Sequence, residues 1–449
     1  MGSNVPVPSG SFATPLALRL RSFVGLLALI AAAWLMSTDR RRVPWRVIGW
    51  GLGLQVAFAI LILKTRVGVV IFDAANRGIV ALLGYSVDGA RFLFGNLVGS
   101  NVPVGQGDVG QGAFAAVAGQ VANTGAFFAF TVLPAIIFFS SLMAVLYHLG
   151  IMQAFIRAIA RVMQRSMRTS GAETLVAAGG IFFGLAEAPL LVRPFVERMT
   201  RSELMAVMTA GFASISGALV AAYVGLLMGY FPDIAGHLLA ASVMSAPASL
   251  MIAKLMVPES ETAETAGTLD VRVERSDVNA IDAAARGAHE GLHLALAVGA
   301  MLIAFIGLVS LANGVLAWGG QLAGVDDLTL QGLLGWALAP LTWLMGVPWE
   351  DAPTVASLIG VKTVLNEFVA YLQLATTLAG GSSLEPRSVV IATYALCGFA
   401  NFGSVAMTVG GIGVIAPSRR RDLAELGLRA MVAGSISTFM TATIVGILL

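Results

Sequence analysis

The sequence has few charged residues. Asp, Glu, Lys and Arg make up 12% of its 449 residues, whereas hydrophobic residues make up 57%. A water-soluble core cannot hide so much apolar surface, so the composition predicts a protein whose solvent is lipid. The formal net charge is +2, which gives no indication of a nucleic-acid partner.

The sequence also lacks the usual groups for metal and redox chemistry. Cys397 is the single cysteine, which excludes a disulfide framework and a cysteine-cluster metal site. The histidines do not form an HExxH motif, and a glycine-rich phosphate loop is absent. We therefore expect no cofactor, no metal centre and no ATP hydrolysis by this chain.

Long apolar runs are what the sequence has instead. A run must be long enough to cross about 30 Å of hydrocarbon at about 1.5 Å per residue. The pattern predicts an all-α polytopic membrane protein with about eight transmembrane helices and a polar N-terminal tail, residues 1–21, without a cleaved signal. The predicted spans are 22–37, 47–63, 127–148, 204–230, 236–257, 291–315, 386–415 and 427–449.

Arginine placement predicts the orientation, because cationic loops stay in the cytoplasm. If the spans are threaded in order, all the arginine clusters fall on one side, with both termini in the periplasm of an inner-membrane protein. The polar stretch 258–277 is then a mobile cytoplasmic connector. The clusters are Arg40–Arg42 with Arg46, Arg157 to Arg168, Arg193 to Arg201 and Arg419–Arg421.

Two amphipathic segments do not have the pattern of plain spans. Residues 67–97 mix charged and aliphatic residues, and residues 151–167 place Arg157, Arg161 and Arg165 four positions apart. Both are typical of helices that lie in the membrane interface. A solvated cytoplasmic helix is the alternative.

Two further segments, 172–200 and 353–383, are apolar at both ends and interrupted in the middle. Non-helical backbone at membrane depth survives only where protein or a water-filled cavity satisfies it. We therefore predict two re-entrant helical hairpins, each with a buried carboxylate at its break, Glu187 and Glu367. An ionisable residue inside a membrane indicates function by default. The structural alternatives are a helix cap for Glu187 and an ion pair with Lys362 for Glu367.

Each hairpin is followed by a similar string, GFASISG at 211–217 and GFANFGS at 398–404. A hairpin followed by a broken helix, occurring twice, is typical of inverted-repeat transporters that bind substrate between the repeats. Asn401 and Ser404 lie one turn apart and could face a ligand, or act as polar contacts between helices. Phe399 is either an aromatic platform for a ligand or a packing residue.

The residues alone leave three functional classes open. A transporter is favoured by the paired broken hairpins. An intramembrane enzyme could use Glu187 and Glu367 as acid and base, but no serine or cysteine nucleophile with a base partner is evident. A passive channel is the third alternative.

Several long strings resemble the bacterial concentrative nucleoside transporter family, over residues 22 to 449. They are EAPLLVRPF at 187–195, NAIDAAARGAHEGLHLAL at 279–296, PLTWLMGVPWEDA at 340–352, KTVLNEFVAY at 362–371 and ALCGFANFGS at 395–404. The resemblance implies a homotrimer of elevator-type transporters with a scaffold and a transport domain, eight core spans, two hairpins and three interfacial helices. The third interfacial helix is the NAIDAAARG stretch.

The resemblance also implies a domain order. Residues 22–148 would be scaffold helices with the interfacial helix 67–97, and residues 151–257 would hold an interfacial helix, the first hairpin and the following transport-domain spans. The remaining parts would be a connector with an interfacial helix at 258–290, a long scaffold helix and loop at 291–345, and the second hairpin, broken helix and last span at 353–449.

The same resemblance assigns the substrate contacts. Glu367, Asn401 and Ser404 would hold the ribose of a nucleoside, and Phe399 would contact its ring. Hydrogen bonds from carboxylate and amide groups suit hydroxyl recognition. Leu185, Ala186, Glu187 and Leu219 complete the predicted substrate contacts, with membrane lipid as the other partner.

The sequence departs from the family at the first hairpin. Where relatives have GQTE or GQSE, it has Gly184, Leu185, Ala186 and Glu187, so the groups that would bind the base edge are missing.

The sodium site of the family corresponds to Gly180, Phe183, Ser214 and Ile215, and Gly180 replaces an asparagine ligand. We therefore expect proton coupling through Glu187, with sodium coupling or no coupling as alternatives.

Overall fold

The computed structural model describes residues 14–99, 101–106, 115–123, 128–185, 187–267, 277–322, 324, 328–381 and 384–449. Ala186 lies outside the described residues, and residues 101–106, 115–123 and 128 are described by their backbone alone. The described chain is helical apart from one β-hairpin.

The described residues up to 267 form nine α-helices. They are α1 (Leu16–Leu35), α2 (Trp45–Lys64), α3 (Arg66–Phe94), α4 (Phe128–His148), α5 (Ile151–Met167), α6 (Gly171–Gly179), α7 (Arg201–Ala213), α8 (Gly217–Leu227) and α9 (Ile234–Met256). A 3-10 helix, Ala188–Arg198, lies between α6 and α7.

Seven α-helices follow. They are α10 (Ala280–Leu322), α11 (Leu330–Leu344), α12 (Ala352–Val364), α13 (Glu367–Ala379), α14 (Pro386–Leu396), α15 (Phe402–Ile415) and α16 (Arg420–Leu448). The predicted all-α polytopic class is confirmed.

Helices of the described chain differ sharply in burial. In the apolar stretches, 94% of the residues of α7–α8 and 89% of those of α9 are buried, against 17% of those of α10. Helices α7, α9, α14 and α16 pack on one another, α2 packs along α9, and α1 packs along α16. Helix α10 instead packs along α4. The molecule therefore has a buried central group and a peripheral α4–α10 pair.

Eight stretches of the described chain are helices long and apolar enough to cross a membrane. The number agrees with the sequence, but the membership differs. Residues 66–98 qualify by length and composition, whereas the predicted span 386–415 is divided into two shorter helices. The interfacial position of 67–97 remains a prediction.

Helix α10 is continuous for 43 residues, so no break separates the predicted interfacial helix from the predicted scaffold helix at residue 290. It contains no proline. A Cβ at Gly287 would lie 2.6 Å from the Ala144 Cβ atom, and one at Gly291 would lie 2.8 Å from the Ile137 Cα atom. These small residues let α10 lie close against α4 over the predicted boundary.

A short antiparallel β-hairpin precedes α4, which the sequence analysis did not predict. Strand β1 (Asn101–Gln106) pairs with β2 (Ala115–Asn123), with Asn101 opposite Asn123 and Gly105 opposite Ala116. The register shifts between Pro103 and Gly105. Gly and Pro at this density disfavour a helix.

The first part of the polar connector is fixed rather than mobile. The Thr265 carbonyl accepts from the Gly171 amide at 3.0 Å, and its hydroxyl accepts from the Ala172 amide at 3.1 Å. Glu264 forms an ion pair with Arg198 at 2.9 Å. Residues 258–267 are therefore held against both ends of the first hairpin, and residues 268–276 lie outside the described residues.

Candidate functional site

The first predicted hairpin is formed by α6 and the 3-10 helix Ala188–Arg198. Helix α6 starts at a capping box of Ser170 and Glu173 and ends at Gly180. The second arm is a 3-10 helix because Pro189 and Pro194 cannot donate to an α-helical ladder. The break between the arms carries residues 181–187.

The base of this hairpin contains buried ionic groups. The Lys254 ammonium of α9 lies 2.7 Å from Glu173 and 3.0 Å from Glu259. The Ser170 hydroxyl donates to Glu203 of α7 at 2.6 Å. Buried charges are tolerated when paired and hydrogen-bonded, so these groups fix the hairpin base to α7 and α9.

The second hairpin consists of α12 and α13, which meet at Leu365 and Asn366. The Asn366 side chain accepts from the Val369 amide at 2.9 Å and caps α13. Glu367 is the first residue of α13. The helix N-terminus favours a negative charge at that place.

The two repeated strings form breaks that contact each other. Helix α7 gives way to α8 at 214–216, and α14 gives way to α15 at 397–401. The Phe399 amide donates to the Ser214 carbonyl at 3.2 Å. The Asn401 side chain accepts from the Ser404 amide at 2.8 Å and caps α15. The breaks thus bring both halves of the chain to one place.

Glu367 lies at this meeting point, and its residue is 4% exposed. The Tyr223 hydroxyl of α8 donates to Glu367 Oε1 at 3.0 Å, and Asn401 Nδ2 donates to Oε2 at 3.2 Å. A carboxylate has about four acceptor positions. Glu367 can therefore accept further donors, such as ligand hydroxyls.

Ser404 presents an unsatisfied hydroxyl beside these groups. The residue is 1% exposed, and its Oγ atom has no hydrogen-bond partner within the described part of the chain. Leaving a buried hydroxyl unpaired costs about 1–3 kcal/mol. This buried hydroxyl one turn from Asn401 is a candidate partner for a ligand atom.

Lys362 does not pair with Glu367. Its ammonium donates to the Ala395 carbonyl at 2.8 Å and to the Thr438 hydroxyl at 3.4 Å. The lysine holds the carbonyl end of α14 next to the break. The ion-pair alternative for Glu367 is therefore wrong.

Glu187 is unlike Glu367. It is exposed, and its Oε2 atom accepts from the Gly184 amide at 3.0 Å. The charged side chains Arg286 and Glu290 of α10 are near enough to act on it electrostatically. The expectation of two buried carboxylates holds for Glu367 and is wrong for Glu187, which faces the space beside α10.

The residues around Glu187 are divided between core and site. Leu185 is buried, and its Cδ1 atom lies 2.7 Å from where a Cβ of Gly211 would stand, so it packs against α7. Leu219 of α8 is also buried, at 4% exposure. The Phe399 ring lies 3.7 Å from the Cβ position of Gly184. The hairpin break and Phe399 are therefore neighbours, and Leu185 packs against α7, while its contact with substrate remains a prediction.

The predicted coupling residues are also close together. A Cβ at Gly180 would lie 3.2 Å from both Cβ and Oγ of Ser214. The Ser214 hydroxyl donates to the Gly211 carbonyl at 3.1 Å. Ile215 is fully buried, and the Phe183 ring packs edge-on against Tyr147. A larger side chain at Gly180 would have to displace Ser214.

Metal-ligand clusters are not part of this arrangement. Across the described ranges, no group of three or more His, Cys, Asp or Glu side chains could hold a metal ion.

The sequence analysis missed Tyr223. Its ring stacks on Tyr371 with centroids 4.4 Å apart, and its hydroxyl reaches a residue 144 positions away. A tyrosine inside an apolar span was the available signal, because a buried tyrosine hydroxyl needs a partner.

Comparison with known families covers most of the chain. Residues 24–97 match the family described as Na+ dependent nucleoside transporter N-terminus, and residues 237–446 match its C-terminus. Residues 129–230 match the family described as nucleoside recognition.

Similar proteins come from animals and bacteria. Solute carrier family 28 member 3 of Mus musculus is 42% identical over 96% of this chain and 59% of its own length. The nucleoside permease NupC of Helicobacter pylori is 41% identical over 95% of this chain and 97% of its own length. The chain thus spans about three fifths of the mammalian relative, and nearly all of the bacterial one.

Solved structures agree with these matches. A structure of CNTnw in an inward-facing substrate-bound state has a TM-score of 0.85 and 42% sequence identity, over 96% of this chain and 97% of that one. A double variant of CNTnw in an outward-facing state gives a TM-score of 0.84 over the same shares. The family is one of transporters and not of enzymes, and this chain belongs to it as a concentrative nucleoside transporter family member.

Proposed function

We propose that this protein is a secondary active transporter that imports nucleosides across the inner membrane by alternating access. The orphaned Ser404 hydroxyl beside Glu367 and Asn401 is the observation that carries the proposal. These groups offer one acceptor carboxylate, one amide and one free hydroxyl within a buried site. A ribose supplies hydroxyls that both donate and accept, and a ligand without them would leave the site unpaired.

Phe399 supports a nucleoside rather than a free sugar. Its ring lies at the break between α14 and α15, next to the first hairpin (hairpin 1), and is partly buried. An aromatic face there can stack on a base. Because Leu185 packs on α7, the base would be held by shape and stacking more than by hydrogen bonds along its edge.

Uptake by proteoliposomes tests the proposal. Wild-type protein should accumulate radiolabelled uridine, and Glu367→Gln should reduce uptake about tenfold to a hundredfold, since a hydrogen bond to a charged group is worth about 1.5–3 kcal/mol. The uptake should compete with unlabelled nucleosides and not with ribose-free bases. Full uptake by a correctly folded Glu367→Gln variant would reject the ribose assignment.

Proton coupling through Glu187 is the finer part of the proposal. Gly180, which stands where the family has an asparagine, supplies no side-chain oxygen for a sodium ion, and a Cβ there would lie 3.2 Å from Ser214. Glu187 is exposed beside that region, so it can exchange a proton with water as access changes. A proton binds to one carboxylate, whereas a sodium ion needs several oxygen ligands.

Sodium coupling is the second candidate, favoured by the family's description as Na+ dependent. The two ions are separated by imposing one gradient at a time on the same liposomes. Our proposal expects accumulation with an inward proton gradient in sodium-free buffer, and loss of that accumulation in Glu187→Gln. Accumulation that requires sodium and ignores the proton gradient would establish the alternative.

The packing supports a two-body elevator with a division that differs from the one expected from sequence. Helix α4 with α10 would form the scaffold, and the hairpins with α7–α9 and α14–α16 would form the moving body. Helices α1 and α2 pack on α16 and α9. We therefore assign them to the moving body, although residues 22–148 were expected to be scaffold.

A homotrimer completes the proposal. The outer face of α10 has a shallow open groove lined mainly by small and apolar residues, including Gly307, Gly314 and Trp318. Small residues let membrane helices approach closely. We assign this face to contacts between copies of the chain.

A further inference from the structure

Helix α5 has three distinct faces. Its buried face consists of Met152, Gln153, Ile156, Ala160, Met163 and Met167. The rest of the helix is exposed, and it is divided between a basic row and an apolar row. A helix so divided fits the boundary between headgroups and acyl chains.

The basic row consists of Arg157, Arg161 and Arg165. They are spaced four residues apart, so their side chains follow one another along the surface, and all three are exposed. None of them is in an ion pair in the described part of the chain. Three neighbouring cations without carboxylates form a surface for anions.

A fourth cation lies at the end of this row. Arg46, at the start of α2, is exposed and donates through Nε to the Ser166 carbonyl at 3.0 Å. The bond leaves the rest of its guanidinium available. Guanidinium groups bind phosphate oxygens in a two-pronged geometry.

The apolar row identifies the source of the phosphate. Ile151, Phe155 and Val162 are 43%, 58% and 50% exposed. Their spacing of four and seven residues places them on one side of α5, next to the arginines. A free phosphate ion would leave these apolar side chains exposed to water, whereas the acyl chains of a phospholipid would bury them.

We propose that α5 and Arg46 form a docking surface for the headgroups of anionic phospholipids. The phosphates bind along Arg157, Arg161 and Arg165, and the acyl chains cover Phe155 and Val162. Helix α5 connects α4 to hairpin 1 in the chain and packs on α6. Bound lipid therefore holds the link between the two bodies in the headgroup plane.

Thermal shift of the purified full-length protein in detergent tests the proposal. Short-chain phosphatidylglycerol should raise the melting temperature more than short-chain phosphatidylcholine. In the variant R157Q/R161Q/R165Q the apparent Kd for phosphatidylglycerol should weaken at least about tenfold, because each arginine near an anionic surface contributes to binding. The triple lysine variant at these positions should keep most of the effect, which excludes misfolding as the cause.

The matched control removes the same charge elsewhere. R66Q/R77Q/R91Q neutralises three exposed arginines of α3, which do not form one row and have the exposed carboxylates Asp73 and Asp88 among them, so this variant should bind phosphatidylglycerol like the wild type. An equal loss of phosphatidylglycerol affinity in both triple glutamine variants would show that only the net charge of the protein matters, and it would overturn the proposal. Equal stabilisation by both lipids would overturn it as well, and so would a shift with inorganic phosphate as large as that with phosphatidylglycerol.

Discussion

At the residue scale, the site depends on donors that hold the Glu367 carboxylate in place. Tyr223 and Asn401 each donate to a different oxygen. Both donors come from elements other than hairpin 2, so the position of the carboxylate reports on the assembly of the whole site.

Tyr223→Phe should raise the KM for uridine and lower the free energy of unfolding by about 1.5–3 kcal/mol, the range for a hydrogen bond to a charged group. Tyr371→Phe is the matched control, because Tyr371 is equally buried but donates to the Thr393 carbonyl at 2.7 Å. Loss of this neutral hydrogen bond in Tyr371→Phe should lower the free energy of unfolding by about 0.5–1.5 kcal/mol and leave the KM for uridine unchanged. Uptake kinetics and thermal melts of both variants test this difference. A KM change of equal size in both would contradict the role given to Tyr223.

The sequence predicted those residues of this site whose polar side chains stand within apolar segments. Glu367, Asn401 and Ser404 are polar in apolar surroundings, and the fold brings them together. Leu185 and Tyr223 were not predictable in the same way. Their roles depend on partners far along the chain, Gly211 for Leu185 and Glu367 for Tyr223.

At the element scale, the two helix breaks fit together with little free space. A Cβ at Gly398 would lie 2.8 Å from the Phe212 carbonyl oxygen and 2.9 Å from the Thr438 Cγ2 atom. The glycine lets the second break approach the first. Backbone atoms of a packed break cannot retreat from a new methyl group without moving the site.

Gly398→Ala should therefore lower the free energy of unfolding by about 1–3 kcal/mol, the usual cost of overpacking, and reduce uridine uptake. Gly410→Ala in α15 is its control, since nothing lies within 4 Å of the Cβ position. Alanine there should be neutral or stabilising, because glycine inside a helix costs about 0.5–1 kcal/mol relative to alanine. Unchanged stability and uptake in Gly398→Ala would show that the breaks do not need this close approach.

The glycines and prolines of the hairpin breaks made the hairpins predictable, because both residue types disfavour a helix interior. The continuity of α10 was less accessible. Its first turns are polar and its later turns apolar, which suggested two elements, although one helix can cross an interface without a break. The two strands of the β-hairpin have no strong sequence pattern of their own. They also lie in a region that was expected to consist of scaffold helices, so they were not predicted.

At the scale of the whole molecule, α10 lies at the periphery, packed on α4 and outside the buried group. Leu311 and Trp318 are 65% and 66% exposed on its outer face. The sequence predicted α10 as apolar but not which side faces inward, because it is apolar nearly all round. The division into bodies that we propose depends on such packing, and for α1 and α2 it differs from the division that the family resemblance implies.

Gly314→Leu should convert the proposed trimer to smaller species, because the side chain would fill the α10 groove. Nothing lies within 4 Å of the Gly314 Cβ position, so the single chain should fold normally. Gly411→Leu, also without neighbours within 4 Å, is the control and should stay trimeric. Light scattering of detergent-solubilised protein gives the mass, and an intact trimer in Gly314→Leu would place the contact on another face.

Lys362 has a consequence for how the protein is made. A lysine at the bilayer centre costs about 2.5–3.5 kcal/mol on insertion scales, and its ammonium is satisfied by Ala395 and Thr438, which follow it by 33 and 76 residues. During synthesis neither partner exists when α12 leaves the ribosome. Hairpin 2 can therefore make its final hydrogen bonds only after α14 and α16 have been synthesised, so the folding of this hairpin depends on the last helix of the chain.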